Sequence, residues 1–589
     1  MASQVFEVSW EICNKVGGIY TVVKSKAKNM VARYKDSYYV VGPYIPKNAL
    51  GEFEERVAKD SLRRAFEKLK GEGIVCHYGK WLVDGEPNAI LIDFSGFTGN
   101  TNAIKGELWE KFRIDSLGTS FFDYDEPIVW SYAAGKIIEA LAEKGTVAQF
   151  HEWLAGGGLL YLKSRNAEVA TVFTTHATIL GRTLASSNVD LYSVLKTINP
   201  EAEAKKYGIQ AKFLTEKRCA NVADVFTTVS EITGIEAEYL LGRKPDILLP
   251  NGLDSESFPT FEEASIKHQL LRRKIREFIM SYFFPYYSFE IEHTLIYFLA
   301  GRYEFHDKGI DIFIKALSRL NNKLKREKSD RTVVAFIWVP ANVRSIKQSL
   351  LEGKTMFQDI QDALHDDEED IHSRLVYCVT ARKSCSTDYL LGKDISAEVK
   401  RKLLRFKAKG IPPIATHDLE QEENDEILRA VAAEGLLNRQ EDRVKIIFYP
   451  TYLTGADRLL NLSYYEAMQG SHLGVFPSYY EPWGYTPLEA AALGVSSLTT
   501  DLAGFGRYLE AQGLKDDIPG IFVIKRFNRK DEEVIEELSR AMTKFADFSK
   551  EDRIKNKIEA KRLSSTADWK NFVENYIKAH NLAVVKRWN

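Results

Sequence analysis

Cysteine is scarce: five residues in 589, at positions 13, 76, 219, 378 and 385. So few, and so scattered, make neither a disulfide framework nor a zinc-ligand spacing, so a reducing compartment is the default expectation. Charge of either sign is also not in excess, with 80 Lys and Arg against 82 Asp and Glu. A nucleic-acid binder normally carries a basic surplus, which counts against that class. Apolar runs are short; Thr294–Ala300 is far from the ~20 residues that span a bilayer. The N-terminus has no basic or apolar leader, and Glu7 and Glu11 come early. A three-glycine dinucleotide fingerprint and His-Glu-x-x-His are missing. Gly73–Lys80 has one residue too many for a Walker loop, and Trp81 stands where Ser or Thr is needed. No solenoid repeat, sustained heptad or low-complexity tract is found. These absences predict a soluble, cytoplasmic protein with neither nucleic acid nor membrane as partner.

What the chain does have is alternation. Apolar, β-branched runs at Val5–Ile12, Ser37–Val41, Ala89–Asp93, Ala170–Thr174, Val225–Val229 and Ile247–Leu249 read as strands. Helical patterns such as Ile128–Lys144, Ala155–Lys163 and Ile232–Leu241 lie between them. The pattern restarts with Thr294–Ala300, Val333–Val339, Lys445–Phe448, Leu473–Phe476, Ser496–Thr500 and Ile521–Ile524. Runs apolar on both faces, joined by helices, predict an α/β chain of two Rossmann-like parallel-sheet domains facing a cleft. The expected limits are 1–255 and 256–560, with the turn Pro250-Asn251-Gly252 near the hinge. A final helical segment, 561–589, packs back on the first domain. The charged stretch 343–426, which includes His365–Asp370 (H-D-D-E-E-D), reads as a helical insertion. Its charges suit either a solvated face or an assembly arm.

The strongest local signal is Leu473-Gly-Val-Phe-Pro-Ser-Tyr-Tyr-Glu-Pro-Trp-Gly-Tyr-Thr-Pro-Leu-Glu489. A strand ends near Pro477, and the loop that follows carries Tyr479, Tyr480, Glu481 and Trp483. Thr486-Pro487-Leu488-Glu489 reads as a capping box, so free N–H groups of a helix start aim at the carboxyl edge of the sheet, a natural phosphate site. Glu489 fits either a capping role or a ligand role. Glu481 caps nothing, and a carboxylate beside aromatic rings suits a carbohydrate, although a packed loop looks similar. Arg302 and Lys308, after the strand Thr294–Leu299, put two cations at the same edge to neutralise a leaving diphosphate. Glu11–Val22 carries a Gly17-Gly18 turn that permits close approach to a ligand. His176 ends a strand with Arg182 close behind. Asp123-Tyr-Asp125 matches a metal-dependent transferase pattern but is short, and it is read as structural.

Phe6-Glu-Val-Ser-Trp-Glu, Asn14-Lys-Val-Gly-Gly-Ile-Tyr-Thr, Phe150-His-Glu-Trp-Leu-Ala-Gly, Phe173-Thr-Thr-His-Ala-Thr, Ala300-Gly-Arg-Tyr-Glu-Phe and Phe476-Pro-Ser-Tyr-Tyr-Glu-Pro-Trp-Gly-Tyr-Thr-Pro together resemble the glycogen synthase family of animal and fungal type, from end to end. The resemblance implies a retaining glucosyltransferase of GT-B architecture, without metal or redox cofactor. It implies transfer of glucose from UDP-glucose to the non-reducing 4-hydroxyl of an α-1,4-glucan (glycogen). Glu481 then matches the catalytic Glu of a Glu-x7-Glu motif, and Glu489 the ribose contact. Arg302 and Lys308 match the diphosphate pair. His176 and Arg182 match residues facing the glucose and phosphates, Gly17 and Gly18 the turn under the donor, and Tyr464 the ring stacked on uracil. The backbone of Gly484, Tyr485, Thr486, Pro487 and Leu488 matches the phosphate-binding helix start. ADP-glucose as donor, another retaining GT-B transferase or phosphorylase, and a non-catalytic glycogen-binding scaffold remain as alternatives.

The resemblance also implies a homotetramer built through the inserted helices, and a glucose 6-phosphate site at His268, Arg272, His472, Arg553 and Lys557. The helix around Arg553 reads Lys550-Glu-Asp-Arg-Ile-Lys-Asn-Lys-Ile-Glu-Ala-Lys-Arg562. Lys557 replaces an Arg, and Glu551 and Glu559 add negative charge, so activation below about threefold is expected, under ~1 kcal/mol. Phosphorylated tails of the family's kind are not expected, because the first signature begins at Phe6 and about twenty residues follow Asp568-Trp569-Lys570.

Overall fold

Strand after strand is buried along its whole length, as at Tyr38–Pro43 and Thr294–Ala300. That burial follows from helices covering both faces of a parallel sheet. The computed structural model describes residues 1–514 and 517–588, and at 393–396 the backbone alone. The first sheet contains β1 (Gln4–Val8), β2 (Tyr38–Pro43), β3 (Phe53–Glu55), β4 (Val75–Trp81), β5 (Asn88–Asp93), β6 (Thr146–His151), β7 (Ala170–Thr175), β8 (Val225–Thr228) and β9 (Ile247–Leu248). Their order is β3-β4-β5-β2-β1-β6-β7-β8-β9, antiparallel only where β4 meets β3 and β5. The second half holds β10 (Thr294–Ala300), β11 (Thr332–Trp338), β12 (Val343–Ile346), β13 (His417–Leu419), β14 (Val444–Tyr449), β15 (Leu473–Val475), β16 (Ser496–Thr500) and β17 (Ile521–Ile524). Six of these make a parallel sheet in the order β14-β11-β10-β15-β16-β17.

Both sheets reverse their winding direction at one place: between β1 and β6 in the first, between β10 and β15 in the second. Loops leaving the carboxyl ends of strands at such a switch point diverge and leave a crevice for a ligand. The loops that carry Glu11, Lys308 and Glu481 leave from these strands.

The antiparallel pair β12–β13 clasps the base of the insertion. Between the two strands run the helices Gln348–His365, Glu368–Thr380, Thr387–Leu391 and Lys393–Phe406. Near the end of this arm Cys378 and Cys385 form a disulfide, Cα atoms 6.0 Å apart. This is one local bridge, across the turn after Thr380, and not the disulfide framework that the cysteine count excludes.

The chain crosses between the domains twice, side by side. Leu253 N donates to Ala567 O at 2.9 Å, and Trp569 N donates to Leu253 O at 3.1 Å. Helix Lys550–Thr566 stays on the second sheet, while Trp569–Trp588 lies across β6, β7 and β8. No helix among the described residues is long and apolar enough to cross a membrane.

Candidate functional site

Gly309 sets the geometry of the second-domain side. It starts helix Ile310–Arg326 with φ 67°, and a Cβ there would lie 2.1 Å from Pro477 O. Only glycine tolerates both conditions, so the loops after β10 and β15 press together. Asp307 O accepts from the backbone N–H groups of Tyr479 (2.8 Å) and Tyr480 (3.2 Å). Lys308 Nζ then donates to Glu481 Oε2 at 2.6 Å. The two side chains keep only 16% and 23% of their surface exposed, so the pair is poorly screened by solvent. Arg302 belongs to the same loop but is 69% exposed and pairs with Glu304 at 2.8 Å. It stands at the rim, outside the Lys308–Glu481 contact.

The expected capping box at Thr486 does not form. Helix Tyr485–Ala492 begins two residues earlier, on Gly484 at φ 102°, so Thr486, Pro487 and Leu488 are already inside its first turn. A glycine able to take this backbone lets the helix start without a side-chain cap, and its first N–H groups are left for a ligand. Glu489, released from capping, accepts from Tyr465 OH at 2.8 Å. Burial pushes its pKa up to about 7, against the lowering effect of that hydroxyl. The Tyr464 hydroxyl meets the Thr486 side chain, with Glu489 and Glu481 nearby. Leu488 is fully buried in apolar core, so only its backbone is available to a ligand.

The first domain contributes an acid-rich wall. Glu11 Oε2 accepts from the N–H groups of Gly17 (2.9 Å) and Tyr20 (2.8 Å), so this carboxylate occupies the start of helix Gly18–Tyr34. A Cβ on Gly17 would sit 2.9 Å from Glu11 Oε1, whereas at Gly18 nothing lies within 4 Å. Glu152 holds φ 64° and ψ 169°, a strained backbone for a non-glycine residue. It is kept there by its own Oε1, which accepts from His176 N (2.8 Å) and Ala177 N (3.1 Å). Its pKa is raised to about 7 by burial, against Arg182 and the two N–H groups. Arg182 is exposed, and Tyr480, Glu152, Glu304 and Glu216 lie near its guanidinium.

Beneath His176 runs a network that sequence reasoning did not assemble. His176 Nε2 and His151 Nδ1 are 2.9 Å apart, and His151 Nε2 is 2.7 Å from Glu7 Oε1. Glu7 also accepts from Tyr38 OH and pairs with Lys26, both charged side chains having no exposed surface. Burial alone would raise the Glu7 pKa; Lys26 and His151 outweigh it and keep the carboxyl ionised. The available signal was a Glu in the middle of an apolar strand and a Lys on the buried face of a helix, since such charges need partners.

Tyr479, Tyr480 and Trp483 are buried, so they pack the loop and present no open platform. The two tyrosine hydroxyls join the domains: Tyr479 OH donates to Asp190 Oδ1 (2.9 Å) and Tyr480 OH to Glu236 Oε2 (3.2 Å). Asp123 pairs with Lys212, and Asp125 accepts from Thr119 Oγ1 at 2.6 Å, which leaves the Asp-x-Asp segment with structural partners.

A second cavity, of about 1030 Å³, brings together His268, Arg272, His472, Arg553 and Lys557 with Arg273, Arg276 and Arg331. Burial, then Arg272 and Arg553, push the Lys557 pKa well down. Burial, with Lys557 and Arg272 behind it, takes His268 down to about 3. Glu551 pairs with Lys555 and Glu559 with Arg562, and neither lines the cavity. The expectation that these two carboxylates weaken an anion site therefore fails. Helix rotation puts them on another face.

A family model described as glycogen synthase matches residues 7–589. The chain is 39% identical over 589 residues to the Neurospora crassa glycogen [starch] synthase, covering 98% of this chain and 83% of that one. It is 36% identical over 587 residues to the human liver glycogen [starch] synthase, with the same coverage. Isoform 2 of the Saccharomyces cerevisiae enzyme is 38% identical over 608 residues, covering 98% and 86%. Among solved structures, the catalytic domain of starch synthase IV from Arabidopsis thaliana, bound to ADP and acarbose, aligns over 99% of this chain and 100% of its own with a TM-score of 0.54 at 13% identity, a likeness of GT-B fold. The chain belongs to the glycogen synthase family.

Proposed function

We propose that the chain transfers glucose from UDP-glucose to the non-reducing 4-hydroxyl of an α-1,4-glucan with retention of configuration. The observation that carries this reading is the Lys308–Glu481 contact at the switch point of the second sheet. A carboxylate placed against the sugar stabilises positive charge as the C1–O bond to the diphosphate breaks. Left unpaired, it would repel that diphosphate. Lys308 serves both needs, neutralising Glu481 before the donor enters and stabilising the phosphate charge that develops afterwards.

In this reading the diphosphate lies on the free N–H groups of helix Tyr485–Ala492, with Arg302 at the rim. Glu489 meets the ribose, and the Tyr464 ring lies on the uracil. His176, Arg182 and the Gly17-Gly18 turn face the transferred glucose and its phosphates from the first domain. The hydroxyl contacts of Tyr479 and Tyr480 hold the cleft shut against water, which would otherwise hydrolyse the donor. The test is incubation with labelled UDP-glucose and glycogen. Label in ethanol-precipitable polymer, released by an α-1,4-specific glucosidase, is expected; polymer without label overturns the reading.

Two partner readings accompany it. The cavity at Arg272, Arg553 and Lys557 offers converging cations to a sugar phosphate, and glucose 6-phosphate is the ligand proposed. The inserted arm exposes Leu375, Val376, Tyr377, Val379 and Leu404, an apolar surface suited to assembly with further copies of the chain as a homotetramer.

A further inference from the structure

We propose that Glu7 and His151 are positioning residues that fix His176 in a single tautomer, with its proton on Nε2 and a bare Nδ1 offered to a hydroxyl of the transferred sugar. This deepens the glucosyl-transfer reading above and rests on it. The protons along one buried series are fixed by its ends. Glu7 is met by three groups, the Lys26 ammonium, Tyr38 OH and His151 Nε2, and each of them can donate. An ionised carboxylate can only accept, so the His151 proton sits on Nε2.

A neutral imidazole has one proton, which leaves His151 Nδ1 as an acceptor. Its neighbour at 2.9 Å, His176 Nε2, must then be the donor. His176 in turn has no second proton, and its Nδ1 carries a lone pair. Neither ring takes up a second proton readily: burial lowers both pKa values, and Lys26 adds to the effect on each.

Among the described residues nothing hydrogen-bonds to His176 Nδ1, and that nitrogen is not one of the polar atoms sealed away from solvent. Its backbone is held separately, by the bond from His176 N to Glu152 Oε1. Ring and backbone are thus both constrained at the carboxyl end of β7. Arg182, close to this ring, has only donors to offer. The pair supplies one acceptor and several donors, and a sugar hydroxyl that must donate is recognised by the acceptor alone.

The experiment exchanges the relay's polarity. In a Glu7→Gln/Lys26→Met double variant, the glutamine carbonyl still accepts from Tyr38 and its amide donates to His151. That moves the His151 proton to Nδ1 and the His176 proton to Nδ1, turning the acceptor into a donor without leaving a buried charge unpaired. kcat/KM is measured for UDP-glucose and its 2-, 3-, 4- and 6-deoxyfluoro analogues in both proteins. Fluorine accepts weakly and cannot donate, and its electronic effect on the reaction cancels in the ratio between proteins. At one ring position the wild type is expected to discriminate against fluorine about tenfold more than the variant does. Equal ratios at all four positions overturn the proposal.

Nitrogen-15 NMR of histidine-labelled wild-type chain gives an answer that needs no donor, with resonances assigned by their loss in folded His151→Asn and His176→Asn. Both rings are expected as Nε2–H tautomers, and an Nδ1–H ring at either position refutes the relay. If the wild type turns over no UDP-glucose at all, the donor reading fails instead, while the NMR result still decides the tautomer.

Discussion

Lys308 Nζ lies 2.6 Å from Glu481 Oε2 across 173 residues of chain. Two loops from neighbouring strands of one sheet make this contact, and Gly309 against Pro477 makes it possible. If Lys308 both neutralises the carboxylate and stabilises the leaving phosphate, Lys308→Met should lower kcat by about 10²–10³ with little change in circular dichroism. Steady-state kinetics check this, and a loss below tenfold would remove Lys308 from the chemistry.

Glu236 gives a pH-dependent stability. It accepts from Thr178 Oγ1 at 2.8 Å, Tyr192 OH at 3.1 Å and Tyr480 OH at 3.2 Å, and burial raises its pKa to about 7 despite those hydroxyls. A carboxyl whose folded pKa exceeds its unfolded value contributes most below the unfolded pKa, near 4.5, and loses that contribution as pH rises to about 7. Glu236→Gln cannot ionise. Its Tm relative to wild type should therefore rise between pH 5 and pH 8, and a Tm difference constant across that window contradicts the assignment.

Much of this was legible before the fold. Strands Thr294–Ala300, Ser496–Thr500 and Ile521–Ile524 appear at the residues their apolar runs mark. β6 escapes a sequence reading because Ala148 and Gln149 dilute its apolar pattern, β3 because it is a three-residue edge strand, and β4, between β3 and β5, because half its residues are polar or small. At the site, the place of Arg302 and Lys308 after a strand puts both at the sheet edge of the Glu481 loop, but the direct Lys308–Glu481 contact, which excludes Arg302, depends on the packing of the two loops. The Glu489 capping box was wrong, because Gly484 takes a left-handed backbone and starts the helix early. The Glu7–His151–His176 series joins side chains from three strands, and no local spacing announces it.

The cationic cavity predicts anion binding coupled to proton uptake. Lys557 has its pKa lowered by burial and by Arg272 and Arg553, and a phosphate raises it again. Affinity for glucose 6-phosphate, measured by calorimetry, should fall as pH rises through the lowered Lys557 pKa, and Lys557→Met should flatten that dependence. With Glu551 and Glu559 off the cavity, the single point charge of Lys557 remains the ground for a rate gain below threefold. A tenfold gain at millimolar glucose 6-phosphate would show Lys557 serving as well as an arginine.

The arm predicts an oligomer. Val379 and Leu404 are 69% and 77% exposed, and Val379→Glu/Leu404→Glu should convert a tetramer to smaller species in multi-angle light scattering. A wild-type monomer at micromolar concentration ends this prediction.

The donor base is the choice that Tyr464 alone does not make, since its ring stacks on adenine as well as on uracil. Initial rates with UDP-glucose and ADP-glucose at equal concentration should favour the uridine donor, and a preference for ADP-glucose would reverse the donor assignment.

The most direct test of the central claim is the rate of glucose incorporation into glycogen from UDP-glucose by wild type and Glu481→Gln, both shown to be folded. Glutamine keeps the shape of the side chain and removes the charge that Lys308 neutralises. The account predicts ready incorporation by the wild type and a fall of at least about a hundredfold in kcat for Glu481→Gln. Undiminished incorporation by Glu481→Gln would contradict it.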